Sequence, residues 1–170
     1  MQQLFLPGMT MPSRPAETHN AREALASYPD MTTTNLCRHA KVLGIAAELL
    51  VDSVLMRLGE RAYATPEFER HDRVLLLPKG VQVRIQVKAR HCRTDTGSYV
   101  FNLKQRSARG ATGKGPYLPQ DFDVLAMVIL TEGVVYFSAD WQNRHVIQAG
   151  EIHGLRRNPR MSLDAALARL

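Results

Sequence analysis

Three polar side chains of different chemistry occur close together in the sequence: Asp72, Gln86 and Lys88. A carboxylate, an amide and an ammonium group are side-chain types that can transfer protons or bind an ion when they meet in one place. These three can meet only if the chain between them folds back on itself. The local structure of this segment therefore decides whether they form a site.

Segment 73–89 has the pattern of a β-hairpin. Two apolar runs rich in β-branched residues flank a Pro-Lys-Gly sequence at 78–80, which is typical of a turn between strands. If the turn has three residues, counting outward places Asp72 directly opposite Gln86, with Cβ atoms about 5 Å apart. Lys88 then projects from the same face, because side chains alternate with period two. A slip of one residue would turn Asp72 toward the apolar face, so the pattern favours this register.

A long helix is predicted upstream of the hairpin. Apolar residues recur at helical spacing from Leu36 to Leu58, residues 32–35 offer oxygen acceptors for the first amides, and Gly59 is placed to end the helix. Inside it, Glu48 lies among small and apolar residues, where a carboxylate needs a cation or a hydrogen-bond partner. Glu48 is therefore a further candidate for the site.

The order of these features resembles the PD-(D/E)XK nuclease superfamily. That family has a helix with Gly-x-x-Ala-Glu, a glycine after the helix, an aspartate opening a strand, and an acid or amide before a lysine on the next strand. The spacing is most similar to the branch with archaeal Holliday-junction resolvases and group I intron-associated homing endonucleases, in the latter of which Gln replaces the second acid. The similarity spans roughly residues 40–138. It is carried by Gly44, Glu48, Gly59, Asp72, Gln86 and Lys88. The sequence departs from the motif at His71, where the family usually has Pro, and at the neutral Gln86.

The resemblance implies an α/β fold with a restriction-endonuclease-like core, in which helices flank a central mixed β-sheet. It also implies metal-dependent hydrolysis of phosphodiester bonds. Mg²⁺, with Mn²⁺ as a substitute, would be held by Asp72, the Gln86 side chain and the Val87 carbonyl, and would polarise the scissile phosphate and acidify a water. Glu48 would orient that water or bind a second metal. Lys88 would stabilise the developing negative charge or help to deprotonate the water.

Each of these residues also has a structural explanation. Asp72 and Lys88 taken alone would be interpreted as a solvated cross-strand ion pair, and Glu48 as a helix-surface acid paired with a nearby Arg or Lys. Joined in the superfamily order on one predicted hairpin face, they favour the functional interpretation.

The composition is basic, and the excess charge is concentrated in one part of the chain. Lys and Arg number 22 against 16 Asp and Glu, for a net charge of +6, and Asp95 is the only acid between residues 84 and 114. Such a run attracts a phosphate backbone, so DNA is the predicted partner. The Gly-Lys-Gly sequence at 113–115 lacks the Walker spacing, which argues against an ATP-binding loop. The predicted nucleic-acid contacts are Arg84, Arg90, Arg93, Lys104, Arg106, Arg109 and Lys114.

Three segments are predicted along the chain. Residues 1–31 form a peripheral N-terminal arm, residues 32–140 the nuclease-like core, and residues 141–170 a C-terminal extension with a short helix at 163–170. That helix either packs on the core or mediates a homodimer or higher oligomer. Further strands of the core are predicted at 98–104, 124–130 and 134–138.

Other classes of protein are disfavoured by the sequence. Cys37 and Cys92 are too few for a disulfide framework and are predicted to be reduced thiols. No apolar stretch reaches the roughly 18 residues of a membrane span, and the N-terminus lacks a charged region followed by an apolar core. We therefore expect a cytoplasmic protein with no membrane partner.

The predicted function is a Mg²⁺-dependent DNA endonuclease, and two alternatives remain. One is a catalytically inactive DNA-binding member of the same fold, in which Gln86 marks a disabled metal site. The other is a small partner-binding subunit whose basic face contacts an acidic protein. Salt-dependent DNA binding without cleavage would favour the first alternative, and absence of DNA binding at low salt would favour the second.

Overall fold

The computed structural model describes residues 21–103 and 117–170. The chain divides into two compact units, one that ends at Ala40 and one that spans Lys41–Leu170. In the first unit, residues 21–24 are helical and helix α1 covers Thr33–Arg38. Within the described ranges, no helix combines the length and the apolar character that crossing a membrane requires.

The predicted helix from Leu36 to Leu58 is in fact interrupted. Helix α1 ends at His39, whose N–H donates to the Asn35 carbonyl, and helix α2 covers Ala40–Arg57. The sequence around His39 has no Pro or Gly, so the pattern contained no sign of this break.

Both predicted ends of the helical region are confirmed. The Thr32 hydroxyl accepts the Asn35 N–H at 3.3 Å, which caps α1. After α2, Gly59 adopts φ +80°, and the Gly59 and Glu60 amides donate to the carbonyls of Met56 and Leu55. This paired closure with a left-handed glycine is a Schellman motif.

The core of the second unit is a five-stranded mixed sheet, as predicted. The strands are β1 Arg61–Ala64, β2 Arg73–Leu76, β3 Gln82–Arg90, β4 Ser98–Asn102, β5 Val124–Ile129, β6 Val134–Ser138 and β7 Arg144–Gln148. The spatial order of the central sheet is β1-β2-β3-β5-β6; β3 and β5 are parallel and the other neighbours are antiparallel. A separate two-stranded antiparallel sheet is formed by β4 and β7.

The hairpin of β2 and β3 has the register that the sequence predicted. Val74 pairs with Arg84 and Leu76 with Gln82 across a short 3₁₀ turn at Pro78–Gly80. One face of the hairpin then carries Leu75, Val83, Ile85 and Val87 into the core. The opposite face carries the polar Gln82, Arg84, Gln86 and Lys88 of β3 together with the apolar Val74 and Leu76 of β2.

Each face of the central sheet packs against a different layer. On one face, α2 contributes residues such as Ala47 and Val51, and a C-terminal helix α4, Arg160–Leu167, contributes Leu163 and Ala166. On the other face, β4 and β7 and a short helix α3, Ile152–Arg157, pack over the apolar side of β5. The C-terminal helix begins three residues before its predicted start and ends at Leu167, and its packing on the core is one of the two predicted outcomes.

Candidate active site

The hairpin brings Asp72, Gln86 and Val87 into direct contact. Asp72 comes directly before β2, and its N–H donates at 2.9 Å to the carbonyl of Ile85, the residue that the ladder pairs with Arg73. Asp72 is therefore held at the end of the ladder, next to Gln86. Asp72 Oδ2 accepts the Val87 N–H at 2.7 Å and also a hydrogen bond from Gln86 Nε2. The same Gln86 nitrogen donates to the Val87 carbonyl at 3.1 Å. Gln86 Nε2 therefore lies between a carboxylate oxygen and a carbonyl oxygen.

This donor set fits a hard divalent cation. The oxygen and nitrogen of an amide side chain exchange places by a half-turn of the terminal group. After that turn, the Asp72 carboxylate, the Gln86 oxygen and the Val87 carbonyl would face one point, and all three are ligand types that Mg²⁺ accepts. In the described part of the chain, no group of three or more His, Cys, Asp or Glu side chains is arranged to hold a metal. A cation at Asp72 would therefore depend on the amide and the carbonyl.

Asp72 is held in an environment that resists its ionisation. Burial raises the pKa of its carboxyl group, and the Val87 N–H, Lys88 and Arg73 oppose that rise without overcoming it. A bound cation would reverse the balance by favouring the charged form.

Lys88 lies on the same strand as Gln86, two residues further on, and is fixed by an aromatic ring. Its Nζ donates to the Tyr117 hydroxyl at 2.8 Å and lies 4.6 Å from the centre of the Tyr117 ring. That ring meets Phe122 edge to face, with centroids 5.6 Å apart. The site prediction did not include Tyr117, because contact between residues so far apart in sequence leaves no local signal.

Glu48 reaches the site region but is bound to a cation that the site prediction missed. Arg73 Nη1 donates to Glu48 Oε2 at 3.0 Å, and Arg73 Nε and Nη2 donate to the Asp52 carboxylate at 2.7 and 2.9 Å. Arg73 is only 5% exposed. Burial and the nearby Asp72 raise the pKa of Glu48, and Arg73 opposes this rise. Glu48 is therefore ion-paired with a nearby Arg, as its structural explanation predicts. The sequence contained a sign of this pairing, since Arg73 interrupts an apolar strand face and the carboxylates of Glu48 and Asp52 are spaced i, i+4 on α2.

A cleft of about 290 Å³ opens beside these residues. Glu48, Asp72, Gln86 and Tyr117 all line it, so the helix acid and the hairpin pair share one solvent-accessible space. The wall opposite is the loop after β1, which contributes residues 65–67 and 69–71. The cleft is thus framed by α2, the hairpin and this loop.

The predicted DNA-contacting cations fall into two groups. Arg84 is paired with Asp123 at 2.7 Å and Arg93 with Glu132, while Arg90 Nε donates to the Val100 carbonyl at 2.5 Å. These three are thus engaged with other parts of the second unit. Lys104, Arg106, Arg109 and Lys114 lie outside the described residues.

Comparison with known proteins yields a structural likeness without a sequence match. No protein-family model matches the chain. No curated protein sequence matches it either. The structure is similar to that of a bacterial homing endonuclease, I-Ssp6803I, with a TM-score of 0.53 and 19% sequence identity over 63% of this chain and 76% of that one. The likeness shows a shared mixed α/β fold.

Proposed function

We propose that this protein is a Mg²⁺-dependent DNA endonuclease of the PD-(D/E)XK type. The observation that carries the proposal is the convergence of the Asp72 carboxylate, the Gln86 amide and the Val87 carbonyl on one point beside a cleft. A lysine follows on the same strand face. A carboxylate-containing oxygen set next to an ammonium group suits hydrolysis of a phosphodiester, because both the metal and the ammonium stabilise negative charge.

The hairpin residues would supply the metal ligands and a positive charge. When bound, Mg²⁺ would polarise the scissile phosphate and acidify a water. Asp72 brings the charge that holds the cation, while Gln86 and Val87 bring neutral oxygens. Lys88 has three donor hydrogens, of which one goes to Tyr117, and the others would meet a phosphate oxygen.

Glu48 would orient the attacking water. Its Oε2 is held by Arg73, so the carboxylate has a fixed orientation while its other oxygen can accept a hydrogen bond in the cleft. A second metal at Glu48 is less well supported, since the Arg73 guanidinium already neutralises this acid.

DNA as the substrate is supported by two further observations. The structure resembles a homing endonuclease. The chain carries a net charge of +6, which favours a polyanionic partner.

One contact favours a second function, DNA binding without cleavage. Gln86 Nε2 satisfies both the Asp72 carboxylate and the Val87 carbonyl by hydrogen bonds, so these oxygens are not left unpaired when no cation is bound. These hydrogen bonds would stabilise a protein of this fold that no longer binds a metal.

The test is cleavage of supercoiled plasmid and of a synthetic four-way junction in Mg²⁺, Mn²⁺ or EDTA. The parent should cut in either metal and not in EDTA, and Asp72→Asn and Lys88→Met should lose at least 100-fold in rate, the usual scale for loss of a positioned catalytic group. Asp164→Asn is the matched control, because this acid is exposed on α4 and should cut like the parent. Binding of DNA by the parent without metal-dependent cutting would establish the second function instead. Parental rates in Asp72→Asn would show that the site is wrongly assigned.

A further inference from the structure

The small sheet of β4 and β7 has one buried face and one exposed face. Along β7, His145 and Ile147 are buried while Arg144, Val146 and Gln148 are exposed. Along β4, the exposed or partly exposed positions on the same face are Val100, opposite Val146, and Asn102, opposite Arg144, whereas Ser98, opposite Gln148, is buried. These five outward residues are called the ribbon face: Val100, Asn102, Arg144, Val146 and Gln148.

The sheet of β4 and β7, here called the ribbon, lies on the side of the central sheet from which Gln86 and Lys88 project. Its buried residues pack with Leu125, Met127 and Ile129 of β5. In the parallel pairing of β3 with β5, these three residues stand beside Gln86, Lys88 and Arg90 in turn. Side chains of paired residues share a face, so the ribbon covers the sheet next to the site and turns its outer face away from it. The Arg90–Val100 hydrogen bond ties the middle of β4 to the end of the strand that carries Lys88.

The chemistry of the ribbon face differs from that of an ordinary charged surface. It carries no carboxylate, and Arg144 has no ion pair within residues 21–103 and 117–170, whereas Arg84, Arg93 and Arg160 each have at least one. Glu151, three residues beyond Gln148, is engaged by the Gln148 N–H at 2.6 Å.

Side chains of these types match the edges of DNA bases. Arg is bidentate to guanine, Asn and Gln are bidentate to adenine, and aliphatic groups contact the thymine methyl. A two-stranded antiparallel ribbon also fits the major groove, since its strands are about 4.8 Å apart and the groove is about 12 Å wide.

We propose that the ribbon face enters the major groove of duplex DNA and reads its sequence, an inference that rests on the proposed endonuclease function. Asn102 and Arg144 are cross-strand neighbours, so they would contact the same or adjacent base pairs. Gln148 lies four residues beyond Arg144 on β7, or about 13 Å, which corresponds to about four base pairs along the groove. The substrate would thus be a double-stranded site with preferred bases at two places.

The experiment is selection of bound duplexes from a randomised pool in EDTA, followed by sequencing. The parent should enrich a motif, and Asn102→Ala should lose the preference at one position of it, where the parent discriminates about 5- to 150-fold. Arg144→Lys should weaken the preference at the same or the adjacent position, because Lys keeps the charge but lacks the planar, preorganised fork of the guanidinium. Arg61→Ala, which removes an exposed arginine from edge strand β1, should enrich the parental motif. Thermal unfolding of each variant within a few degrees of the parent would show that the fold is intact, as expected for exposed side chains.

Three results would overturn the inference, and they separate it from the proposed function. If Arg144→Lys and Asn102→Ala enrich the full parental motif, the ribbon does not read the bases, although the endonuclease proposal stands. If the parent cuts plasmid in Mg²⁺ but enriches no motif, the protein binds DNA without sequence preference and the inference fails, although the endonuclease activity is established. If the parent neither binds nor cuts DNA, both the function and the inference fail.

Discussion

Replacing Asp72 by Asn should abolish cleavage and at the same time stabilise the metal-free protein at neutral pH. Burial raises the pKa of Asp72, so the folded state disfavours its ionised form. The isosteric amide removes the charge while its oxygen can still accept the Val87 N–H. Gln86 Nε2 donates to the same Oδ2 position as the Val87 N–H, so the amide oxygen can accept both hydrogen bonds while the new NH₂ group takes the place of Oδ1.

The sign of the pH dependence follows from the raised pKa. Between the ordinary pKa of 3.8 and the raised value, the folded state holds more protons on Asp72 than the unfolded state does. The parent therefore loses stability as pH rises through this window, and the loss is complete above it. Each unit by which the pKa is raised corresponds to about 1.4 kcal/mol, or about 3–6 °C in melting temperature for a chain of this size. Asp72→Asn should show no such loss.

Magnesium should stabilise the parent much more than Asp72→Asn. A ligand at 100 times its dissociation constant stabilises the folded state by about 2.7 kcal/mol, which is about 5–11 °C here. The parent should gain this stabilisation in MgCl₂, whereas Asp72→Asn should gain little because the charged ligand is gone.

The assay is thermal unfolding followed by circular dichroism at pH 4 and pH 8, in EDTA and in MgCl₂, with Asp164→Asn as the control. In EDTA, Asp72→Asn should melt close to the parent at pH 4 and above it at pH 8. A variant that melts below the parent at pH 8, or that gains as much from magnesium as the parent does, would contradict the assignment of Asp72 as a buried, metal-binding carboxylate. Asp72→Ala is the poorer probe, because it leaves the Val87 N–H without its acceptor at about 1–3 kcal/mol and leaves Gln86 Nε2 with only the Val87 carbonyl.

Two further predictions concern the ion pairs that the structure shows. Arg73→Met should leave the Glu48 and Asp52 carboxylates of α2 without their buried cation. The free energy of unfolding should fall by about 3 kcal/mol, which lowers the melting temperature by about 6–12 °C. Lys41→Met, at an exposed ion pair, is the control and should change the melting temperature by no more than about 2 °C. An equal effect of the two substitutions would contradict the importance of burial. Asp123→Asn should destabilise the protein more at pH 7 than at pH 2, because Arg84 lowers the pKa of Asp123 and the stabilisation by this carboxylate declines as pH falls from 3.8 through the lowered value. Urea unfolding at both pH values measures this, and a loss of stability that does not depend on pH would contradict it.

The hairpin is the part of the site that the sequence predicted most fully. Alternation of apolar and polar residues, with a Pro-Lys-Gly turn of three residues, was enough to place Asp72 against Gln86. Both signals are local, and the apolar face leaves only one register that buries it. The resemblance added Glu48, which the structure places on the same cleft.

The helix upstream shows where local pattern is insufficient. Apolar spacing predicted one continuous helix, but the helix is interrupted at His39, between α1 and α2. No residue there forbids a helix, so intrinsic propensity cannot locate the break. By contrast, the left-handed Gly59 was predictable, since glycine adopts a positive φ at little cost.

Strand alternation and turn type are properties of neighbouring residues, so the residue pattern was enough to assign the polar side chains of β3 to one face of the hairpin. The pairing of the charges, by contrast, depends on how distant elements pack. Arg73 contacts Glu48 on a helix 25 residues earlier, and Arg84 contacts Asp123 at a strand start 39 residues later. Long cationic side chains bind whichever acids packing brings within about 3–4 Å, and sequence separation carries no information about that. The position of the β4–β7 sheet next to the strand that carries Gln86 and Lys88 was likewise not predictable, because two sheets pack there through residues distant in the chain.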